Sequence, residues 1–221
     1  MNNTCNGLTI AALLIVGLLF GAPLLKHFAP GFDTGESAAM LQEKSRRVAE
    51  HHEQIFSDPH SPVAGNPAGD VTIVEFFDYH CTYCKAVSGP LDQLLAEDKG
   101  VRLVLKEYPI LAEDSVVASR AALAASAQGK YWEFHQALMA YRGKFDMPAL
   151  KSIAVSVGLD ADKMEADMAA ASMTEDLRGN RALGDALGVQ GTPTFVIGDR
   201  IIPGALSADD LKQLIAAARK I

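Results

Sequence analysis

The stretch from Val71 to Tyr108 limits the fold more than any other part of the chain. Val71 to Phe77 is a run of β-branched and aromatic residues, Lys85 to Glu97 carries Val87, Leu91, Leu94 and Leu95 at helical spacing, and Val101 to Tyr108 is a second apolar run. A connection of that length cannot be a hairpin. The two strands are therefore predicted to be parallel neighbours, with the helix crossing one face. Hydrophobic residues make up 49% of the chain, enough to fill a core, and the length suits one domain or one domain plus an appendage.

After Tyr108 no convincing strand occurs until Thr194. Ser115 to Gln128 is alanine-rich and helical, Tyr131 to Tyr141 has bulky residues at helical spacing, and Gly129 separates the two. Asp146 and Pro148 read as a cap and a first-turn proline for a helix with Leu150, Ile153 and Val157 on one face, ending at Gly158; Asp160 and Thr174 are read as caps of two more. Strand character returns at Thr194 to Ile197 and Arg200 to Ile202, across a turn at Gly198-Asp199, before a closing helix from Ser207 to about Arg219. The predicted order is β-α-β, a helical block over about 112–188, then β-β-α.

The chain before Val71 has three parts. Leu8 to Leu25 carries no charge and is just long enough to cross a bilayer as a helix, so residues 1–30 are read as a membrane anchor or a cleaved signal peptide. No Lys or Arg precedes it, and Lys26 and His27 follow it. Cys5, ahead of the run, has no lipid-attachment pattern around it. Within 31–61, Gly35 to Ser57 reads as a solvated helix with a thin stripe of Met40, Leu41, Val48, Ile55 and Phe56, serving as a spacer or as a seam for self-association. Asp58 to Asp70, with three prolines and two glycines, reads as a loop holding one short edge strand at Pro62 to Ala64. The globular domain is expected over 62–221. Its net charge of −7 for the whole chain, with both signs interspersed, leaves no basic face for phosphates and argues against nucleic-acid binding.

The chemistry concentrates in Phe76 to Lys85, F-F-D-Y-H-C-T-Y-C-K, which holds two of the three cysteines. If a helix starts at Cys81, both thiols lie on one face of its first turn, where a disulfide can close and reopen. Unpaired N–H groups and the partial positive charge of the helix start favour a Cys81 thiolate. A pKa of about 5 would stabilise that thiolate at pH 7 by roughly 2.7 kcal/mol, or about 60 mV toward oxidising power. A protonated His80 would push the same way, whereas Tyr83 offers only a dipole.

Two other readings of the pair stand beside redox chemistry. A zinc or copper site needs more ligands than one C-x-x-C; the remaining candidates are Cys5, His51, His52 and His60, none at metal-binding spacing. A passive structural disulfide would close a very small loop and constrain the unfolded chain little. Further on, Gly191-Thr192-Pro193-Thr194-Phe195 puts a proline at the start of a strand, where it would ordinarily interrupt pairing. A cis bond there would present the Thr192 backbone beside the reactive sulfur; a trans proline on an edge strand is the plain alternative.

V-E-F-F-D-Y-H-C-T-Y-C-K together with V-Q-G-T-P-T-F-V-I-G-D resembles the DsbA-like thioredoxin-fold disulfide oxidoreductases, especially their ScsC-type and membrane-anchored bacterial relatives. The resemblance covers about Pro62 to Ile221. It implies an α/β thioredoxin fold with an all-helical block inserted between its β-α-β and β-β-α halves. It also implies that Cys81 attacks, Cys84 resolves, Pro193 is a cis-proline, Thr192 pairs with the substrate backbone, and Glu75 relays a proton to the resolving cysteine. Without that relation Glu75 is a puzzle, because an unpaired carboxylate in an apolar strand is costly. Thr82-Tyr83 replaces the proline-histidine pair of the strongest oxidants, and Thr192 replaces their valine; both are closer to disulfide isomerases and the ScsC group.

The function expected from this is thiol-disulfide exchange with unfolded or misfolded exported proteins, as oxidase or isomerase, with no organic cofactor or metal. Its setting would be the bacterial periplasm or the outer face of the inner membrane, held there by residues 8–25 and recycled by a membrane redox partner. Isomerases of this kind are commonly multimeric, which favours the seam reading of residues 35–57. An envelope structural module, or a carrier of copper or zinc, is the alternative. Trp132, His135 and Met139 are read as packing residues of the helical block.

Overall fold

The structure is a computed structural model, and it describes residues 37–220. The apolar segment 8–25, Cys5 and the signal or anchor reading of 1–30 lie outside the described residues. Among the described residues no helix is long and apolar enough to cross a membrane.

The elements begin with α1 (Ala38–Glu50), α2 (His52–Phe56), β1 (Val63–Gly65), β2 (Val71–Phe77), α3 (Thr82–Glu97) and β3 (Val101–Glu107). Five helices follow, α4 (Glu113–Ser126), α5 (Tyr131–Ala140), α6 (Met147–Ser156), α7 (Ala161–Asp167) and α8 (Ala171–Leu187), then β4 (Thr194–Ile197), β5 (Arg200–Pro203) and α9 (Ala208–Ala218). The strands form one sheet in the order β1-β3-β2-β4-β5, with β2 and β3 parallel and the other pairs antiparallel. This is a thioredoxin-like α/β fold with a helical block between its two halves, as the sequence implies.

Local signals account for most boundaries. Asp146 caps α6 by accepting from Ala149 N–H at 3.0 Å, and Pro148 sits in the first turn, where its missing N–H costs nothing. Asp160 caps α7 through Asp162 and Lys163 N–H. Ser207 and Asp210 form a reciprocal capping box on α9. Thr174 is not a cap. It lies inside α8, which begins at Ala171 behind the extended N-cap Ala170 and has no side-chain cap. α8 ends at Gly188, at φ +76°, a left-handed conformation glycine adopts without strain.

The sheet has two covered faces. Alternation in β2 and β3 sends Val74, Phe76 and Val104 to one face, where they pack with Val196 and Ile201 against Leu183 and Leu187 of α8, Val48 of α1 and Ile55 of α2. The stretch read as a solvated stem is thus broken at His51 into two helices, and its stripe divides. Val48 and Ile55 are buried in this core, while Met40 and Leu41 stay about half exposed. Lys106 on the same face is buried and reaches Asp58 Oδ2 at 2.9 Å, Gln54 O at 2.7 Å and Ser61 Oγ at 2.6 Å, tying the end of α2 to β3. The opposite face carries Ile73, Glu75, Phe77, Leu103, Leu105 and Glu107, and it is this face that meets the reactive helix.

Candidate functional site

The chain leaves β2 at Phe77 and turns through Asp78, Tyr79 and His80 into α3. Asp78 is buried and makes the turn rigid: Oδ1 accepts from His80 N–H (2.7 Å) and Ser115 Oγ (2.8 Å), and Oδ2 accepts from the N–H groups of Ile110 (2.8 Å) and Leu111 (2.9 Å). Four donors offset the cost of burying the acid and fasten the β2 turn to the loop after β3.

Cys81 is the N-cap of α3. Its Sγ accepts from the backbone N–H of Cys84 at 3.2 Å, so the sulfur occupies the place usually taken by a serine or aspartate oxygen. Across the gap to the strand side, the Cys81 thiol donates to the backbone carbonyl of Thr192 at 3.1 Å, and the Thr192–Pro193 bond is cis. Both cysteines are free thiols.

The two sulfurs differ sharply. The Cys84 thiol, as a donor, is the largest influence bringing Cys81 down to about 6; burial opposes it, and the Thr192 hydroxyl and the N–H groups of Cys84 and Tyr83 add to it. The helix start, expected to lead, ranks behind the neighbouring thiol. Burial pushes Cys84 far up, reinforced by the Cys81 sulfur and by the Glu75 charge. Cys84 is fully buried and Cys81 is only 4% exposed, so the sulfur expected to attack is itself almost enclosed. The Thr192 hydroxyl is buried with no partner in the dithiol, which leaves it available to the charged sulfur.

Glu75 stands on β2 on the face toward α3. It is buried, its Oε1 has no hydrogen-bond partner, and burial, with the charges of Cys81 and Glu107 behind it, raises the carboxyl to about 8. His80 Nε2 meets Asp114 Oδ1 at 2.9 Å, and its ring lies edge-on to Phe145. Thr82 and Tyr83 are exposed, Tyr83 at 68%. The structure therefore brings together Cys81, Cys84, Glu75, Thr192 and Pro193, with Thr82 and Tyr83 on the outer rim and His80 held by Asp114.

Sequence reasoning missed a set of polar groups behind the cysteines. Glu107, at the end of β3, accepts from Tyr79 Oη at 2.9 Å and Tyr131 Oη at 2.7 Å, and Tyr79 Oη is 3.1 Å from His135 Nδ1. The available signal was an acid at the end of the largely apolar run V-R-L-V-L-K-E, the same anomaly that drew notice at Glu75. Among the described residues no cluster of three or more His, Cys, Asp or Glu side chains is arranged to hold a metal.

A match to the DSBA-like thioredoxin domain runs over residues 72–216, from β2 through α9, and includes every group just described. The chain belongs to the DSBA-like family. Solved structures agree. A thioredoxin-like oxidoreductase from Silicibacter pomeroyi is 46% identical with a TM-score of 0.74, covering 76% of this chain and 98% of that one. The thiol-disulfide exchange protein alpha-DsbA2 from Wolbachia pipientis is 30% identical with a TM-score of 0.78, covering 82% and 99%. The catalytic domain of Proteus mirabilis ScsC is 27% identical with a TM-score of 0.73, covering 80% and 99%. Curated relatives are longer: this chain is 31% identical over 162 residues to the Na(+)/H(+) antiporter NhaA 1 of Salinispora arenicola, 71% of this chain but 24% of that protein. The DSBA-like domain is a thiol-disulfide oxidoreductase domain.

Proposed function

We propose that the chain exchanges disulfides with cysteine-containing exported proteins through Cys81 and Cys84. The carrying observation is the asymmetry between two adjacent sulfurs, one ionised near neutral pH beside the Thr192 carbonyl, the other buried and held as a thiol. The Cys81 thiolate attacks a client disulfide to give a mixed disulfide, and Cys84, losing its proton to Glu75, displaces the client; run in reverse, the oxidised pair passes its disulfide on. An extended client segment would pair with the backbone of Thr192 beside Pro193, where a groove continues over Gln190, Gly191, Pro203 and Met40.

The setting that fits is the bacterial periplasm or the outer face of the inner membrane, with residues 8–25 as the anchor and a membrane redox partner restoring the pair. A structure of a periplasmic thioredoxin-like protein from Salmonella enterica, 31% identical with a TM-score of 0.67, supports that compartment. Self-association through residues 35–57 is reduced to the exposed Met40 and Leu41, since Val48 and Ile55 are in the core.

Trapping tests the reading. A Cys84→Ala chain expressed in a bacterium should accumulate covalent adducts to client proteins that dithiothreitol releases and that a Cys81→Ser change abolishes. No adducts from a folded Cys84→Ala protein would overturn it.

A further inference from the structure

Two acids lie on the reactive face of the sheet, and exchange chemistry as proposed uses only one. The parallel register pairs Glu75 with Leu105 and Phe77 with Glu107, so Glu75 and Glu107 are diagonal neighbours on the same face. Strand spacing and rise place their backbones about 8 Å apart. Both side chains are buried.

Their surroundings are unequal. Glu107 Oε1 accepts from two tyrosine hydroxyls, Tyr79 of the β2 turn and Tyr131 of α5. With the Tyr79 proton committed to Glu107, His135 Nδ1–H is the donor to the Tyr79 oxygen, so a neutral imidazole backs the array. His135 is buried and desolvation drives it down to about 3, so it contributes no positive charge. Glu107 Oε2 and Ser119 Oγ of α4 are each buried without a completed hydrogen bond, yet the serine lies near enough to favour the carboxylate. Glu75 Oε1 has no donor. A carboxylate supplied with hydroxyl donors holds a buried charge better than one without, and two like charges this close resist ionising together.

The remaining titratable groups facing the pair are few. Cys81 and Cys84 face it from α3 and Asp78 from the β2 turn, all acidic, while Tyr79, Tyr131 and His135 complete the shell. None supplies a cation.

We propose that Glu107 is a positioning residue for the exchange reaction: by taking the negative charge of the buried acid pair, it keeps the reacting proton on Glu75, ready for the Cys84 sulfur. This rests on the exchange reading above. When a client thiolate attacks Cys81 Sγ of the oxidised pair, the Cys81–Cys84 bond breaks and its electron pair goes to Cys84. The client cysteine is oxidised into the mixed disulfide, Cys84 is reduced, and the Glu75 carboxyl proton neutralises the leaving thiolate. Without the charge on Glu107, Glu75 would give up its proton at lower pH and be a weaker reserve of acid. Burial raises both acids; Glu107, opposed by its hydroxyl donors, reaches about 7, while Glu75, with no such donors and the charges of Cys81 and Glu107 beside it, reaches about 8.

The test follows Glu75 directly. In the full chain, purified in detergent micelles with its cysteines reduced and its glutamate carboxyls carbon-13 labelled, the Glu75 resonance is assigned by its loss in Glu75→Gln. The expected result is a Glu75 midpoint lower by about one pH unit in Glu107→Gln, unchanged in Glu107→Asp, and lower again in Tyr79→Phe/Tyr131→Phe, which strips Glu107 of its donors. Reduction of the oxidised chain by dithiothreitol at pH 7.5 should slow several-fold in the same two variants. A Glu75 midpoint left at its wild-type value in Glu107→Gln and in the double tyrosine variant overturns the proposal. Should Glu107→Gln fail to fold, as judged by near-ultraviolet circular dichroism, the double tyrosine variant decides. The carboxyl titration does not require client exchange, so absence of trapped clients would defeat the exchange reading while leaving this measurement readable.

Discussion

The backbone N–H of Cys84 donates to Cys81 Sγ at 3.2 Å, so the sulfur placed to react is also the atom that caps the helix carrying its partner. Chemistry and helix stability share one atom. At pH 5, where the Cys81 ionisation benefit is absent, Cys81→Ala should therefore cost the reduced protein about 0.5–2 kcal/mol, and Cys81→Ser, which keeps an acceptor, much less. Urea unfolding of the reduced variants measures the difference; equal stability of the two would refute the capping role.

Cys81 is brought from 9.0 to about 6, so its ionisation favours the folded dithiol. The sign follows from a depressed folded value: the benefit is complete above pH 9 and vanishes as pH falls through about 6. At pH 7 it amounts to about 1.4 kcal/mol, or about 30 mV of added oxidising power. The reduction potential should change by about 60 mV per pH unit below that midpoint and about 30 mV above it, since two protons and then one accompany the two electrons. A slope without a break between pH 5 and 8 would contradict this. Thr192→Ala should move the break to higher pH by removing a donor.

Glu75 has the opposite signature. Its carboxyl is raised from 4.5 to about 8, so its contribution to stability is greatest below pH 4.5 and is lost as pH rises through about 8. Glu75→Gln should raise stability at pH 7.5 by about 4 kcal/mol and change it little at pH 4.5. The same variant should slow resolution of a mixed disulfide. Stability that falls at pH 7.5 would show that the acid is paired rather than stranded.

Lys106 is enclosed by Asp58, Ser61 and the Gln54 carbonyl. Lys106→Ala should destabilise by about 3–5 kcal/mol, because it opens a hole and leaves those acceptors unpaired, and Lys106→Met should recover part of that through packing. Thermal unfolding of both variants is the check; identical losses would assign the whole effect to charge.

Val48 and Ile55 make the N-terminal helices part of the core. Ile55→Ala should cost about 2–5 kcal/mol, whereas Met40→Ala and Leu41→Ala, on the exposed side, should stay within about 0.5 kcal/mol. If residues 35–57 form a seam between copies, Met40→Ala/Leu41→Ala would instead shift the sedimentation coefficient of the chain.

Much of this fold was legible in one dimension because its signals are local. The βαβ unit followed from periodicity, the caps at Asp146 and Asp160 from residue type, and the reactive pair from C-x-x-C at a strand-helix junction. Each needs only neighbours within a turn. Thr174 misled because any threonine in a polar run looks like a cap, and packing moved the start of α8 upstream.

What only the tertiary structure decided depended on contacts distant in sequence. Whether Val48 and Ile55 were solvated or buried turned on α8 arriving from the far side of the helical block to share their face of the sheet. The acidity of Cys81 draws on Thr192 as well as on the neighbouring Cys84 thiol, and the company of Glu107 on Tyr131 and His135, residues whose bulk and spacing marked them as ordinary packing. Periodicity records which side of an element is apolar; which charges and donors that side will meet is settled by chain closure, which no stretch of sequence carries alone.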